Sequence, residues 1–302
     1  MGRPGCPPDY RAFPGLCETR PPMRLHLIDG TFELYRAHFS KRPANPMKAT
    51  RGLAQSLLAL LVDPAEKVTH LAVAFDNPIR SFRNDLFPAY KSDEGVPPEL
   101  RAQFDSAEEA VRAVGAVVWS MREFEADDAL ATAAARYRSE VEQVRILTPD
   151  KDLGQCLEAD HVVQVDVIRK RVINEEALRQ RRGVRPESIP DLLALTGDDA
   201  DGIPGLPGFG ERTAAALLDR FLHLENVPLD GRGWPASLRG ADRLAATLRE
   251  RLADVLLYRE LATLRRDVPL RESLEDLRYR GPDEARLRQI LDPLPQSAPG
   301  PT

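Results

Sequence analysis

Cysteine is scarce in this chain, which has only Cys6, Cys17 and Cys156 among its 302 residues. An odd number of cysteines without paired spacing indicates neither a disulfide framework nor a zinc site. No apolar run approaches the roughly 20 residues that a membrane helix needs, and the first residues lack the apolar core of a secretory signal. These absences favour a protein of the reducing cytoplasm that makes no contact with a membrane.

A large excess of charge of one sign is also missing. The 42 basic residues stand against 47 acidic ones, for a net charge of −5. That total argues weakly against a polyanionic partner, but the local field at a surface decides which ligands it attracts. With 42% apolar and 29% charged residues, the composition is that of an ordinary globular protein.

Periodicity is absent at both ends of the chain. Residues 1–22 include six prolines, and residues 293–302 read PLPQSAPGPT. Such composition opposes packing, so we expect a disordered extension and a disordered tail. Met23 stands directly before the first predicted strand, which makes it an alternative start to Met1.

Between these ends, strand and helix patterns alternate. Strands are predicted at residues 25–28, 70–75, 116–119, 143–148 and 162–167. Helices are predicted at residues 32–39, 52–61, 98–114 and 126–138. Strands separated by helices of this length indicate right-handed βαβ units and an α/β fold with a mostly parallel, twisted sheet.

The strand pattern ends at about residue 186. Beyond it, residues 192–195, 213–221 and 241–264 predict helices packed after the sheet. We therefore expect a sheet domain over residues 23–185 and a helical subdomain over residues 186–292.

Nine carboxylates are concentrated in five short motifs of this alternating region. The motifs are LIDG (27–30), AFD (74–76), FEADDALA (124–131), ILTPDKDL (146–153) and LTGDDADGIPGLPGFGERTA (195–214). The first, second and fourth motifs follow apolar runs, which places their acids at carboxyl ends of parallel strands, where open sheets hold ligands. One aspartate there is usually a turn or cap residue. Five such motifs together indicate a cation site.

The spacing within the motifs supports this interpretation. Three acids of FEADD crowd the first turn of a helix, where the dipole favours negative charge but repulsion needs relief. Asp150 and Asp152 share one side if their segment is extended, and Asp198 and Asp201 share a face if theirs is a helical turn. Oxygen ligands without histidine or cysteine select Mg²⁺ or Mn²⁺. Two such ions about 4 Å apart predict phosphoryl chemistry, that of a nuclease or phosphatase.

The motifs, their order and their spacing resemble those of the bacterial 5′→3′ exonuclease and flap endonuclease family. This family comprises the amino-terminal nuclease domain of DNA polymerase I and its phage relatives. The resemblance covers about residues 23–292, and FEADD, ILTPDKDL and LTGDDADGIPGLPGFGERTA are long matches. Because no polymerase domain follows Thr302, the chain is similar to a stand-alone version.

What the resemblance implies concerns both fold and activity. It implies a PIN-like nuclease domain followed by a helix-three-turn-helix subdomain. The implied activity is metal-dependent hydrolysis of DNA at 5′ ends, flaps or nicks during replication and repair. It further implies a monomer, located in the cytoplasm with the nucleoid, that works with a separate DNA polymerase or ligase.

The resemblance also assigns the nine acids to two ions. Those around the first ion are Asp29, Asp76, Glu125 and Asp127, and those around the second are Asp150, Asp152 and Asp201. Asp128 and Asp198 match acids that lie close by and act through water. A water activated by the metal attacks the phosphodiester without a covalent enzyme intermediate, and the product carries a 5′-phosphate.

Residues 81–101, SFRNDLFPAYKSDEGVPPELR, carry the next candidates. Taken alone, a lysine such as Lys91 is usually a solvated side chain. It matches the family's active-site lysine, an electrostatic clamp on the scissile phosphate, and Arg83 matches a second basic position. Tyr90 either stacks on an unpaired terminal base or packs in the core, and the sequence leaves both open. Arg36 is a further candidate DNA contact.

The same segment departs from the family pattern after the lysine. Asp93, Glu94 and Gly95 stand where relatives place a basic residue. Because fewer phosphates are neutralised, we expect weaker and more salt-sensitive binding of a single-stranded flap. Glu94→Arg is expected to tighten that binding.

The glycine-rich motif runs into a helix predicted to begin near residues 211–213. Backbone N–H groups at such a helix start hold a phosphate without reading sequence. The expected contacts are Gly208, Gly210, Arg212 and Thr213, and the resemblance adds a K⁺ ion at this motif. A basic stretch nearby is either a solvated face or a second DNA contact. It consists of Arg169, Lys170, Arg171, Arg179, Arg181, Arg182 and Arg185.

Three other functions fit part of the sequence. A phosphatase of the haloacid dehalogenase type would explain IDGT, but its nucleophilic aspartate would stand at position 27, which is Leu27. A PIN-type ribonuclease would share the acids without needing the glycine-rich helical module. A structure-selective DNA-binding protein without metals would have lost a ligand motif, and none is missing. The nuclease explains all of the motifs together.

Overall fold

The computed structural model describes residues 22–291. The extension expected at residues 1–22, except for Pro22, and the tail expected at residues 293–302 lie outside the described part. Within residues 22–291, no helix is both long enough and apolar enough to cross a membrane.

A twisted sheet of six strands forms the first part of the described chain. The strands are β1 (Arg24–Asp29), β2 (His70–Asp76), β3 (Val117–Met121), β4 (Gln143–Leu147), β5 (Val162–Asp166) and β6 (Arg171–Ile173). Their order is β3-β2-β1-β4-β5-β6, and every pair is parallel except β5 with β6. The mostly parallel sheet predicted from the sequence is therefore confirmed. The short antiparallel strand β6 was not predicted, because three residues are too few to give a strand pattern.

The helices pack on both faces of this sheet and beyond it. They are α1 (Gly30–His38), α2 (Lys48–Val62), α3 (Arg83–Leu86), α4 (Pro98–Arg101), α5 (Phe104–Val114), α6 (Ala126–Tyr137), α7 (Glu175–Arg182), α8 (Ile189–Thr196), α9 (Glu211–Phe221), α10 (Ala241–Glu250), α11 (Leu252–Ala262) and α12 (Glu284–Leu291). Two predicted helices are interrupted, at residues 102–103 and at Arg251.

Alternation along the central strands divides the sheet domain into two cores. Leu27 and Ala72 face α6, whereas Ile28 and Val73 face α2 and α5, as the two-residue period of a strand requires. The chain leaves β1 toward β2 on one side and later reaches β4 on the other side. This reversal opens a crevice at the carboxyl ends of β1 and β4, where such sheets hold ligands.

The helical part forms a third core around α8, α9, α10 and α11. After α11 the chain returns to the sheet domain. Leu264, Val268, Leu270 and Leu277 pack in the core beneath α6, and α12 packs on α5. The described chain therefore begins and ends on the sheet domain, with most of the helical part between. The expected division at residues 185 and 186 stays a prediction.

Candidate active site

Two acids end central strands, and each accepts a hydrogen bond from the start of a helix. Asp29 is the last residue of β1, and its carboxylate accepts hydrogen bonds from the Phe32 N–H at 2.8 Å and the Thr148 hydroxyl at 3.0 Å. Asp76 ends β2 and accepts from the Ala126 N–H at 2.8 Å. Each acid is thus held by a helix start, which fixes its position at the crevice.

Together with Glu125 and Asp127 at the start of α6, these residues form the first acid group: Asp29, Asp76, Glu125 and Asp127. Burial raises the pKa of Asp127 well above its ordinary value, and the charges of Asp150 and Asp29 raise it further. Burial likewise raises the pKa of Asp29 to about 7, with added repulsion from Asp76 and Asp150. Such shifts indicate that the group lacks the positive charge it needs.

Asp152, Asp198 and Asp201 form the second acid group. Each offers a carboxylate oxygen within 4.8 Å of the others. Burial raises the pKa of Asp152 well above its ordinary value, and the charges of Asp150, Asp201 and Asp198 add to it. The buried Oδ1 of Asp152 has no hydrogen-bond partner among residues 22–291. An unpartnered buried oxygen within an all-oxygen donor set fits a hard divalent cation.

The local geometry of this group differs from both expectations drawn from spacing. Asp150 and Asp152 do not lie along an extended segment, because Asp150 accepts from the Asp152 N–H at 2.8 Å and a 3₁₀ turn, Asp152–Cys156, begins there. Asp198 and Asp201 do not lie on a helical turn either. Two hydrogen bonds of 2.7 and 2.8 Å between Asp198 and Ile203 close a tight loop instead. Turns bring these acids together, and helix or strand periodicity does not predict the geometry of a turn.

Lys91 lies between the two acid groups. Its Nζ is 2.7 Å from Glu125 Oε2 and 3.2 Å from Asp201 Oδ1. Burial would lower the pKa of Lys91, but Glu125, Tyr90 and Asp201 outweigh it and raise that pKa well above its usual value. Burial would raise the pKa of Glu125, whereas Lys91 and Arg83 lower it to about 2. The structure therefore brings the predicted lysine to the predicted acids as a fully charged pair.

The segment that carries Lys91 rests on the loop of the second acid group. The Lys91 N–H donates to the Asp201 carbonyl at 3.0 Å. Gly202 has a φ of +73°, and a Cβ there would lie 2.5 Å from the Ala89 carbonyl oxygen. Only glycine permits this close approach, so the loop and the lysine segment are positioned together.

Arg83 and Asp128 have a different role from the one expected. Arg83 is 1% exposed and Asp128 is completely buried. They form a two-pronged pair with both N–O distances at 2.7 Å, and Arg83 also donates to the carbonyls of Leu261 and Thr263. The Asp128 carboxylate also accepts hydrogen bonds from the backbone N–H groups of Glu125 and Arg265. Because every contact is internal, Arg83 does not clamp substrate and Asp128 does not serve a metal through water.

Tyr90 also lies inside the protein. It is 4% exposed and packs in the core of the helical part. Its hydroxyl donates to Asp201 at 3.1 Å and lies 3.4 Å from Glu125. Of the two interpretations that the sequence left open, core packing is therefore correct, and stacking on a base is not.

The other predicted DNA contacts are Arg36 and the residues at the start of α9. Arg36 is exposed on the last turn of α1, where it pairs with Glu33. The helix after the glycine-rich loop begins at Glu211, as predicted, with Gly210 as its cap. Around that start lie Gly208, Arg212 and Thr213, and Arg212 is exposed. Their contact with DNA stays a prediction.

The basic stretch is divided between two surfaces. Arg169, Lys170 and Arg171 lie at the turn between β5 and β6, where the two arginines pair with Asp166. The other arginines lie on or just after α7. The stretch is therefore not one continuous face.

Several site residues were not singled out from the sequence. Lys151 pairs with Asp198 at 2.8 Å, and Ser81 donates to Glu125 at 2.6 Å. Thr148 donates to Asp29. Lys151 and Thr148 lie inside the ILTPDKDL motif, so their position between acids was the signal available for them. Ser81 had no comparable signal, because its partner is 44 residues away.

Comparison with known families gives matches over both parts of the chain. Residues 24–183 match the family described as "5′-3′ exonuclease, N-terminal resolvase-like domain", and residues 184–285 match "5′-3′ exonuclease, C-terminal SAM fold". The chain is 37% identical over 284 residues to DNA polymerase I of Bacillus caldotenax, covering 90% of this chain and 31% of that relative. It is 30% identical over 276 residues to the 5′-3′ exonuclease of Aquifex aeolicus (strain VF5), covering 89% and 91%. The chain thus spans less than a third of the polymerase and most of the exonuclease.

Solved structures of similar fold agree with these matches. T5 5′-exonuclease with bound divalent metal ions (zinc) superposes with a TM-score of 0.67 at 18% identity, covering 89% of this chain and 98% of that chain. The catalytic core of Rad2 in complex with DNA substrate gives a TM-score of 0.59 at 16% identity, covering 89% and 87%. At these identities the likeness establishes the fold.

Proposed function

Because this chain belongs to the 5′-3′ exonuclease family, we propose that it is a structure-specific 5′-3′ exonuclease and flap endonuclease. Its substrate would be DNA that carries a 5′ end, a 5′ flap or a nick. The observation that carries the proposal is the convergence of both acid groups on Lys91 at the carboxyl edge of the sheet. Acids from five separate motifs meet there, which turn or capping roles alone do not explain.

We propose two divalent ions, Mg²⁺ or Mn²⁺, as the cofactors. The first acid group would hold one ion and the second acid group the other, and Asp150 is an electrostatic neighbour of both groups. When bound, such ions lower the pKa of an attacking water and stabilise charge on the phosphoryl oxygens. The pairing of Lys151 with Asp198 offsets part of the charge of the second acid group.

The residues of the chain have separate tasks in this proposal. Lys91, placed between the acid groups, would donate to a non-bridging oxygen of the scissile phosphate, where negative charge develops. Backbone N–H groups at the start of α9, with Arg212 and Thr213, would hold a duplex phosphate without reading sequence. The Arg83–Asp128 pair fixes the first turn of α6 and with it the direction of Asp127.

The wider role follows from the substrate. Removal of 5′ flaps leaves a nick or a gap, so we propose action in DNA replication and repair beside a separate polymerase and ligase. A monomer in the cytoplasm with the nucleoid fits that role. A K⁺ ion at the glycine-rich loop before α9 belongs to the same proposal.

The test uses labelled 5′-flap, nicked-duplex and single-stranded DNA, each with Mg²⁺ and with EDTA. We expect cleavage near the flap junction with Mg²⁺ alone, and its loss in Asp150→Ala. Asp199→Ala is the matched control, because Asp199 is an exposed acid beside the second acid group and should be dispensable. Activity that survives Asp150→Ala or EDTA would rule out the metal mechanism.

A further inference from the structure

A cavity lies beside Asp76, at the end of β2. Its volume is about 170 Å³, and Asp93, Arg101 and Phe104 form its walls with residues 77–79. At ~30 Å³ per water, it holds a phosphate group with several waters. Asp76, a member of the first acid group, lines both this cavity and the neighbouring small pocket that holds Lys91 and Glu125.

Arg101 is the one cation among the residues that line this cavity. Its guanidinium contacts both the side chain of Asp93, at 2.7 Å, and the Asp93 carbonyl, at 2.8 Å. The two side chains are 54% and 47% exposed. An ion pair with that much exposure is weak, so a phosphate can replace Asp93 at little cost.

Apart from Asp93 and Arg101, the charged residue that lines the cavity is Asp76. Tyr35 is close enough to respond to both sides: burial and the charge of Asp76 raise its pKa, and Arg101 opposes that shift. The next acid along the loop, Glu94, is exposed. A guanidinium in this setting has one strong partner, Asp93, and a planar fork suited to phosphate oxygens.

We propose that Arg101 is a further substrate-binding residue, which contacts a phosphate of the 5′ strand in the cavity beside Asp76. Asp93 holds Arg101 in the free protein and releases it when that phosphate binds. This inference rests on the proposed nuclease function and deepens it. Asp93 stands in the segment where relatives place a basic residue. In this proposal its role is to set how readily Arg101 is released to the phosphate.

A double-mutant cycle on flap cleavage tests the inference. We expect Arg101→Gln to raise KM about tenfold with little change in kcat, as one lost charge-assisted contact does. Asp93→Asn should lower KM about threefold to tenfold, and this gain should vanish in the Arg101→Gln background. Glu99→Gln is the matched control, because Glu99 is an exposed acid on the same short helix as Arg101, and its charge is removed without freeing Arg101. It should change KM less than about twofold if Asp93 acts through Arg101.

A scan with methylphosphonate linkages identifies the contacted phosphate. One neutral linkage in the 5′ strand should weaken cleavage by the unmodified protein and have no effect on Arg101→Gln. If Asp93→Asn lowers KM equally in both backgrounds, or if Glu99→Gln lowers it as much, the effect is general charge and the inference is wrong. No cleavage by the unmodified protein would contradict the proposed function as well, whereas additive effects in an active enzyme overturn this inference alone.

Discussion

Asp127 and Asp128 are neighbours on the first turn of α6, yet they belong to regions with opposite energetics. Asp127 lies in the first acid group, where burial and neighbouring acids raise its pKa well above the ordinary value. Asp128 instead forms a buried ion pair with Arg83, and each of its carboxylate oxygens also accepts a hydrogen bond from a backbone N–H. The two residues share their type and their helix, but Asp128 is completely buried beside a cation, whereas Asp127 is partly buried beside other acids.

This contrast separates residues that build the site from residues that act in it. A buried pair with complete hydrogen bonding holds a helix start in place, and removing one partner leaves an uncompensated charge. A buried group of acids without enough cations opposes folding, and such strain is retained where function requires it. The largest effects are therefore expected from substitutions that remove a charge from one of these two kinds of residue.

The largest effect is expected from Asp127→Asn. Loss of one proposed ligand should reduce flap cleavage by about 10³-fold, equivalent to about 4 kcal/mol of transition-state stabilisation. The metal-free protein should become more stable by about 1 kcal/mol, because one buried repulsive charge is gone. Cleavage kinetics and urea unfolding in EDTA check both parts. A variant that keeps its activity would place Asp127 outside the site.

Arg83→Met should give the largest loss of stability. It leaves Asp128 buried and unpaired, which costs about 3–5 kcal/mol. Replacing both partners, as in Arg83→Met with Asp128→Leu, should recover part of that loss. Arg265→Met is the control, because its side chain pairs with Asp267 at the surface, and a change within about 0.5 kcal/mol is expected. Equal unfolding midpoints for Arg83→Met and Arg265→Met would contradict the buried pair.

The pH dependence of the metal-free protein should also distinguish the two regions. The pKa of Asp29 is raised to about 7, so the folded state binds its proton more tightly than the unfolded state does. The free energy of unfolding in EDTA should therefore increase as the pH falls from 8.5 toward 6. The same stabilisation is lost when the pH rises through 7. Thermal melting should show this slope in the unmodified protein and a smaller slope in Asp29→Asn. Identical slopes would exclude Asp29 as its source.

Glu125 touches both regions, since it contacts Lys91 on one side and Arg83 on the other. Ser81→Ala removes the hydrogen bond that holds its Oε1. We expect a loss of about 1 kcal/mol in stability and a loss of less than about tenfold in cleavage. A change in cleavage without a change in stability would place Ser81 with the acting residues instead.

Much of the fold could be predicted from the sequence because it follows local pattern. The apolar runs before Asp29 and Asp76 and the family motifs predicted a mostly parallel sheet with acids at its edge, and both the fold and the family are confirmed. The site acids were found for the same reason, since each stands at a strand end or a helix start.

The errors arose where a distant partner decides the role of a residue. Arg83 meets Asp128 across 45 positions and Leu261 across 178, and no local pattern carries such a pairing. The sequence left the role of Tyr90 open for the same reason, because the core in which it packs belongs to the distant helical part. Strand β6 was missed because it has only three residues, and helices α7 and α12 were missed because each is short and rich in charged residues.

The return of the chain to the sheet domain after α11 has a consequence for synthesis on the ribosome. The first strand is made early, but the carbonyls that hold Arg83 and the N–H that completes Asp128 belong to residues 261–265. Domains fold as units as the chain emerges, so a nascent chain cannot complete this unit until those residues have left the exit tunnel. We expect a chain that stops at residue 250 to be cleaved by proteases throughout its sheet domain.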